Sequence, residues 1–183
     1  MLTFNAIDVE TANRKLASIC QIGIIHVRDG EIYDRWETLI NPEDWFSYLN
    51  ISIHGINKGC VKGSPTLPEV RDVLGERLHG SVLVSHSSFD HVAFERAMTR
   101  YKLEQLRVTW LDSVKIARRS WPECRKHGGY GLGNLAKAFD IRFKHHDALE
   151  DAKAAAEIVL RACAETGTDI DEWLRRVNLP GIP

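Results

Sequence analysis

Two acids separated by one residue, Asp8 and Glu10, follow the apolar pair Ala6-Ile7. In an extended strand, positions two apart face the same side, so both carboxylates project together. Partly withdrawn from water they repel one another, and a divalent cation bound through carboxylate oxygen and water removes that penalty. A third acid, Asp90, ends Ser85-His86-Ser87-Ser88-Phe89-Asp90, just past an apolar run. It falls in the first turn of the next helix, where a negative charge also suits the helix dipole. A fourth acid closes His146-Asp147-Ala148-Leu149-Glu150-Asp151. There a histidine stands before a long helix and Asp151 lies near its beginning. Each pattern is weak on its own: among 183 residues with 25 acids, roughly one Asp-x-Glu and roughly half a His-x₄-Asp arise by chance. Capping competes with metal binding for Asp90, and a surface or capping role competes with chemistry for His146.

The elements that must position these groups follow from periodicity and turn residues. Strands are expected over Thr3 to Val9, Ile19 to Val27 and Glu31 to Ile40. The last two are joined at Arg28-Asp29-Gly30, a hairpin turn because Gly accepts positive φ. An irregular stretch runs through Ile53-His54-Gly55-Ile56. Thr66-Leu67-Pro68-Glu69 combines a capping box with an early proline and starts a helix whose apolar face is Val70, Val73, Leu74 and Leu78, with Gly80 as its stop. A buried strand, Ser81 to Ser85, precedes a helix from Phe89 to Tyr101 with Val92, Ala93, Ala97 and Tyr101 at helical spacing. Val108 to Leu111 is the fifth strand, followed by a helix to about Arg119 that Trp121-Pro122 ends. Glycines 128, 129, 131 and 133 mark a turn, a short helix reaches Phe139, and a long alanine-rich helix runs from about Asp147 to Glu165. In that helix Asp151 borders a stripe of Ala148, Leu149, Ala152, Ala155, Ala156 and Val159. Strands that alternate with helices after a hairpin-rich start predict an α/β layer protein with a mixed sheet.

Taken in order, Asp-x-Glu on the first strand, Asp after the fourth, and His-x₄-Asp opening a late helix resemble the DEDDh exonucleases. That family includes the proofreading epsilon subunit of bacterial DNA polymerase III, oligoribonuclease and ribonuclease T. The likeness spans about Leu2 to Cys163. It includes Ile22-Gly23, Ile53-His54-Gly55-Ile56, Phe89, and the run from Tyr130-Gly131-Leu132 to Leu135. A histidine five residues before Asp151 marks the DEDDh branch. Two positions depart from the family: Thr11-Ala12 stands where Thr-Gly is common, and His86 where Asn is common.

The resemblance implies a ribonuclease H-like three-layer fold, with a five-stranded mixed sheet flanked by helices. It implies that Asp8, Glu10, Asp90 and Asp151 hold two divalent ions, Mg²⁺ or Mn²⁺, while His146 acts as general base. The expected reaction is 3′→5′ hydrolysis of a terminal phosphodiester, releasing 5′-mononucleotides. By similarity Thr11, Ile53, His54 and Phe89 contact the substrate; loop placement competes for His54 and core packing for Phe89. The expected partner is a nucleic acid with a 3′ end, DNA ahead of RNA, with a polymerase or another replication or repair protein beside it. Two rivals are an RNA-directed exonuclease and a binding module of the same fold without activity. The second would be expected to lack one of the five residues, and all five are present.

Composition narrows the remaining choices. The chain accommodates one exonuclease domain over residues 1–167, followed by a short helix and linker-like tail over 168–183. No apolar run approaches a membrane span, and no leader pattern opens the chain. Four scattered cysteines without a Cys-x-x-Cys fit reduced thiols in the cytoplasm. Net charge is −1, but between Lys115 and His145 eight Lys or Arg face two acids, and this segment either lines a phosphate backbone or is a solvated face. Cys124-x-x-His127 lacks a second ligand pair for zinc. The glycines from Gly129 to Gly133 are a turn rather than a dinucleotide fingerprint. His145 is expected to be a solvated neighbour of His146, and the five tryptophans to be packing groups.

Overall fold

The computed structural model describes residues 2–178. β1 (Phe4–Thr11), β2 (Ile19–Arg28), which is buried along nearly all its length, and the more exposed β3 (Glu31–Leu39) pair antiparallel in chain order. The β2–β3 hairpin turns on Asp29 and Gly30, with φ of 53° and 87°, the two positive values that a tight right-twisted hairpin demands. β4 (Val82–Ser85) and β5 (Thr109–Asp112) add in parallel, giving one five-stranded sheet in the order β3-β2-β1-β4-β5. Helices cover both faces, and the arrangement is the ribonuclease H-like fold expected from the sequence.

The two faces of β1 separate two cores. Phe4 and Ala6 point toward α6 (Ala148–Thr166) and α4 (Ser113–Ser120), together with Ile25, Val27 and Leu135. Ile7 and Val9 point toward α2 (Leu67–Leu78) and α3 (Phe89–Arg100), with Leu74, Leu78, Phe94 and Met98. Period-two alternation therefore assigns Asp8 and Glu10 to the α6 side.

Helix ends follow their local chemistry. Thr66 and Glu69 close the expected capping box on α2, with Pro68 in its first turn. The buried face of α2 is Leu67, Val70, Leu74 and Leu78; Val73, expected inside, is 39% exposed because it lies off that stripe. The stretch expected to be irregular contains α1 (Tyr48–His54), capped by Ser47 and ended by Gly55. No residue of α1 is buried, so it leaves no apolar period to read. After α4 a 3₁₀ helix (Pro122–Lys126) leads to α5 (Leu132–Ala138). Within the stretch 168–183 the chain forms α7 (Ile170–Asn178), which buries Trp173 and Val177 in the α6-side core. Positions 179–183 of the expected tail lie outside the described residues. Among the described residues no helix is long and apolar enough to cross a membrane.

Of the tryptophans, Trp121 and Trp173 are buried as expected, and Trp121 donates from Nε1 to Glu165 Oε2 at 2.7 Å. Trp45 departs from the packing role expected of it, since half of it is exposed.

Candidate active site

The sheet opens where β1 and β4 part. Their pairing is limited to Asn5 with Leu83 and Ala6 with Val84, so beyond Ala6 the backbone of β1 lacks its parallel neighbour. Asp90, in the first turn of α3, fills the gap: its Oδ1 accepts from the Val9 N–H at 3.0 Å. An acid from the α3 layer thus reaches the strand ends beside Asp8 and Glu10, although it is only 2% exposed. Openings of this kind, outside the carboxyl ends of parallel strands, are where α/β sheets bind ligands.

Asp151 arrives from the other layer. Gly23 pairs with Asp8 across β1 and β2, and α6 begins directly over it. A Cβ built on Gly23 would lie 2.3 Å from the backbone of Ala148 and Leu149. Gln21, opposite Glu10, accepts from the Ala148 N–H at 3.3 Å and helps fix the helix start. Asp151 is 4% exposed; its Oδ2 accepts from the His146 N–H at 2.8 Å, while its buried Oδ1 has no hydrogen-bond partner among the described residues. His146 itself takes φ +65°, a conformation that L-residues rarely adopt. That turn brings its Nδ1 to 3.9 Å from Glu10 Oε1. The His145 ring meets it edge-on at 3.9 Å.

Ligand atoms of Asp8, Glu10 and Asp151 lie within 4.8 Å of one another, as do those of His145, His146 and Asp151. The charges are badly placed for a protein alone. Burial, then the neighbouring acids Asp90, Asp151 and Glu10, pushes Asp8 well above the usual carboxylate range. Burial with Asp151 and Asp90 raises Glu10 to about 7. Burial also raises Asp90 to about 7, and Asp151 to about 6, against the help of the His146 amide. His146 moves the other way: burial and His145 lower it, so the ring is neutral at pH 7. Packed carboxylates with an unsatisfied buried oxygen suit divalent cations, which these residues therefore fit.

All five acid and histidine positions line one cavity of about 400 Å³, together with Thr11, Ile53, His54, Phe89 and His86. Thr11 is buried, and its carbonyl accepts from Asn50 Nδ2 at 2.8 Å and from His54 Nε2 at 3.1 Å. Because the Ile56 N–H donates to His54 Nδ1 at 3.0 Å, both nitrogens of His54 are spent on backbone, which fixes its Nε2–H tautomer. Ile53 and Phe89 are 46% and 40% exposed, so Phe89 is a rim residue, not a core one. Three lining or neighbouring groups lacked a sequence signal. Asn50 ties α1 to β1, Arg14 lines the cavity as an exposed cation, and Asp147 is a fifth acid that raises Asp8, Glu10 and Asp151.

Two expected outcomes arise from this geometry. In Gly23→Ala, the added Cβ meets backbone, so α6 must shift; stability falls by roughly 1–3 kcal/mol. Because a 1 Å displacement of reacting groups costs about 10²-fold, turnover of the still-folded variant falls further than its stability loss explains. Urea titration beside single-substrate kinetics separates the two effects. The second concerns pH. Glu10 titrates near 7 when folded against a usual 4.5, so the folded state holds its proton more tightly than the unfolded chain. Ionising it costs stability progressively as pH rises through that interval. Glu10→Gln therefore stabilises the metal-free protein above pH 7 by up to about 3 kcal/mol; the gain vanishes below pH 4.5. Thermal melts in EDTA across that range check it, and a gain independent of pH would contradict it.

The sequence matches the family described as Exonuclease over residues 6–159. It is 33% identical over 155 residues to the DNA polymerase III PolC-type of Clostridium perfringens, an alignment that covers 83% of this chain and 10% of that protein. With the PolC-type polymerase of Caldanaerobacter subterraneus subsp. tengcongensis the figures are 30% over 161 residues, 86% and 11%. The chain thus spans about a tenth of the length of these curated relatives. Among solved structures, Exonuclease X in complex with 5′ overhanging duplex DNA superposes with a TM-score of 0.76 at 24% identity, covering 97% of this chain and 100% of that one. The nuclease domain of 3′hExo bound to rAMP gives 0.74 at 19%, covering 90% and 92%.

Proposed function

Because this chain belongs to the exonuclease family, over most of its length and with the DEDDh order of residues, we propose that it is a metal-dependent 3′→5′ exonuclease. Its substrate is DNA with a single-stranded or frayed 3′ end, and its product is the 5′-mononucleotide. The observation that carries this reading is the convergence of Asp8, Glu10, Asp90, Asp151 and His146 on one cavity.

In this reading Asp8, Glu10, Asp90 and Asp151 hold two divalent ions, Mg²⁺ or Mn²⁺. Ions held there would neutralise the carboxylates and would supply Lewis-acid stabilisation of charge at the phosphate. The protein's own groups do the rest. Water attacks the terminal phosphorus, the bond to the 3′ oxygen of the preceding nucleotide breaks, and that oxygen leaves as an alkoxide that takes a proton from solvent water to become the 3′ hydroxyl. His146 accepts the proton of the water on a ring nitrogen, a role suited to an imidazole that burial keeps neutral. Asp151 holds the His146 backbone through its Oδ2, which orients the base, and leaves Oδ1 free for an ion. Thr11, Ile53, His54 and Phe89 surround the terminal nucleotide. With both nitrogens engaged, His54 serves by shaping the wall rather than by donating to substrate.

The PolC-type relatives favour DNA and a setting beside a polymerase in replication or repair. Matched DNA and RNA strands, digested under Mg²⁺ with products resolved by chromatography, test the assignment. The expected result is deoxynucleoside 5′-monophosphates released faster than ribonucleotides. A preference for RNA would move the protein to RNA processing, and 3′-monophosphate products would contradict the proposed bond cleavage.

A further inference from the structure

Resting on the exonuclease reading, we propose that the exposed face of α4 carrying Lys115, Arg118 and Arg119, with the adjoining Arg125 and Lys126, is the track for the phosphate backbone of the strand entering the site. The three α4 cations sit at i, i+3 and i+4, all exposed, and Arg119 Nη1 donates to the Lys115 carbonyl at 3.3 Å. Among the described residues none of the five has an ion-pair partner, so their charges are open to phosphate; Arg28 and Arg35 on the hairpin have none either.

Helix stability does not account for the pattern. Like charges at this spacing destabilise a helix, and Lys115 lies in the first turn, where the dipole disfavours a cation. Arg118 and Arg119, in the last turn, are the only ones that the dipole favours.

Position joins the face to the site. Lys115 lines a second cavity of about 470 Å³ with Ser85, Ser87, Ser88 and Asp112. The intervening residues His86 and Phe89 line the first cavity, so the two meet across the segment from Ser85 to Phe89. His86, standing where the family commonly has Asn, ties the parts together. Its Nε2–H donates to the Tyr130 carbonyl at 2.9 Å, and its Nδ1 is 2.8 Å from Ser113 Oγ at the start of α4. The Arg118 guanidinium lies over the Tyr130 ring, 5.7 Å from its centroid. On α1, by contrast, there is no Lys or Arg, and its exposed residues include Tyr48, Leu49 and Ile53. The α1 rim is therefore suited to apolar contact and the α4 face to phosphate, with Arg14 a further exposed cation on the cavity lining.

The test compares Lys115→Gln/Arg119→Gln with Arg28→Gln/Arg35→Gln, which removes the same charge from the hairpin at the opposite edge of the sheet. Arg118 is kept because it packs on Tyr130. Each variant is assayed with Mg²⁺ on a long single strand and on a dinucleotide, over a range of salt. For the α4 pair, KM on the long strand rises roughly tenfold near 0.1 M salt, and the log KM against log salt slope becomes shallower by about 1.4, at about 0.7 per lost phosphate contact. Dinucleotide hydrolysis changes less than about twofold, since it needs the cavity alone and not the counterion release that a long strand provides. An unchanged slope, an equal effect of the hairpin pair, or an equal loss on the dinucleotide would overturn the track. If the wild type hydrolyses neither substrate, the exonuclease reading fails instead, and the salt slope of strand binding by anisotropy still decides the track.

Discussion

Asp8→Asn abolishes turnover, with a loss of roughly 10³-fold or more, because several kcal/mol of charge stabilisation at the phosphate disappear at about 1.4 kcal/mol per decade. Asp8 lies at the centre of the acid group: burial raises its pKa, and Asp90, Asp151, Glu10 and Asp147 all add to the rise. Asparagine keeps the shape but not the charge, so metal affinity falls along with rate. The same change relieves repulsion in the metal-free protein. Calorimetry with Mn²⁺ and melts in EDTA should therefore show weaker metal binding together with unchanged or higher stability at neutral pH. A variant that lost activity through unfolding would show the opposite in the melt, and an active Asp8→Asn enzyme would remove Asp8 from the site.

His146→Ala gives the second large effect and a different signature. Rate falls by roughly 10²–10⁴, while metal affinity changes little, because the acids are intact. The wild-type rate, at saturating metal, rises with pH through the histidine's ionisation. Burial and His145 depress that ionisation below the usual 6.5, so the rising limb lies on the acid side of that value. In the alanine variant the limb is gone. A limb that survives there would point to another group, with His145 the nearest alternative at 3.9 Å between ring centroids.

Much of this was legible in the sequence because it depends on short periods. Alternation on β1 puts Asp8 and Glu10 on one face, and their facing α6 follows from Phe4 and Ala6 on the same face. The capping box of α2 and the Asp29-Gly30 turn are local chemistry and appear as expected. What stayed hidden is long-range or unpatterned. Sequence placed Asp90 after a strand, but not its bond to the Val9 amide 81 residues away, which depends on β1 and β4 parting. The intolerance of Gly23 arises from the approach of Ala148, far along the chain. α1 escaped because it buries nothing and so carries no apolar stripe. His54 reads as a free loop histidine until both of its nitrogens are seen engaged with backbone. The charge excess between Lys115 and His145 was visible, but its relation to the site required the His86–Tyr130 tie.

The most direct measurement is the degradation of one single strand labelled at its 3′ end or its 5′ end, with Mg²⁺, Mn²⁺ or EDTA, beside His146→Ala. The expected result is immediate release of the 3′ label as mononucleotide and a descending ladder from the 5′-labelled strand. Both require metal and both are lost in the variant. Binding of the strand without turnover under any metal, or digestion that proceeds from the 5′ end, would contradict it.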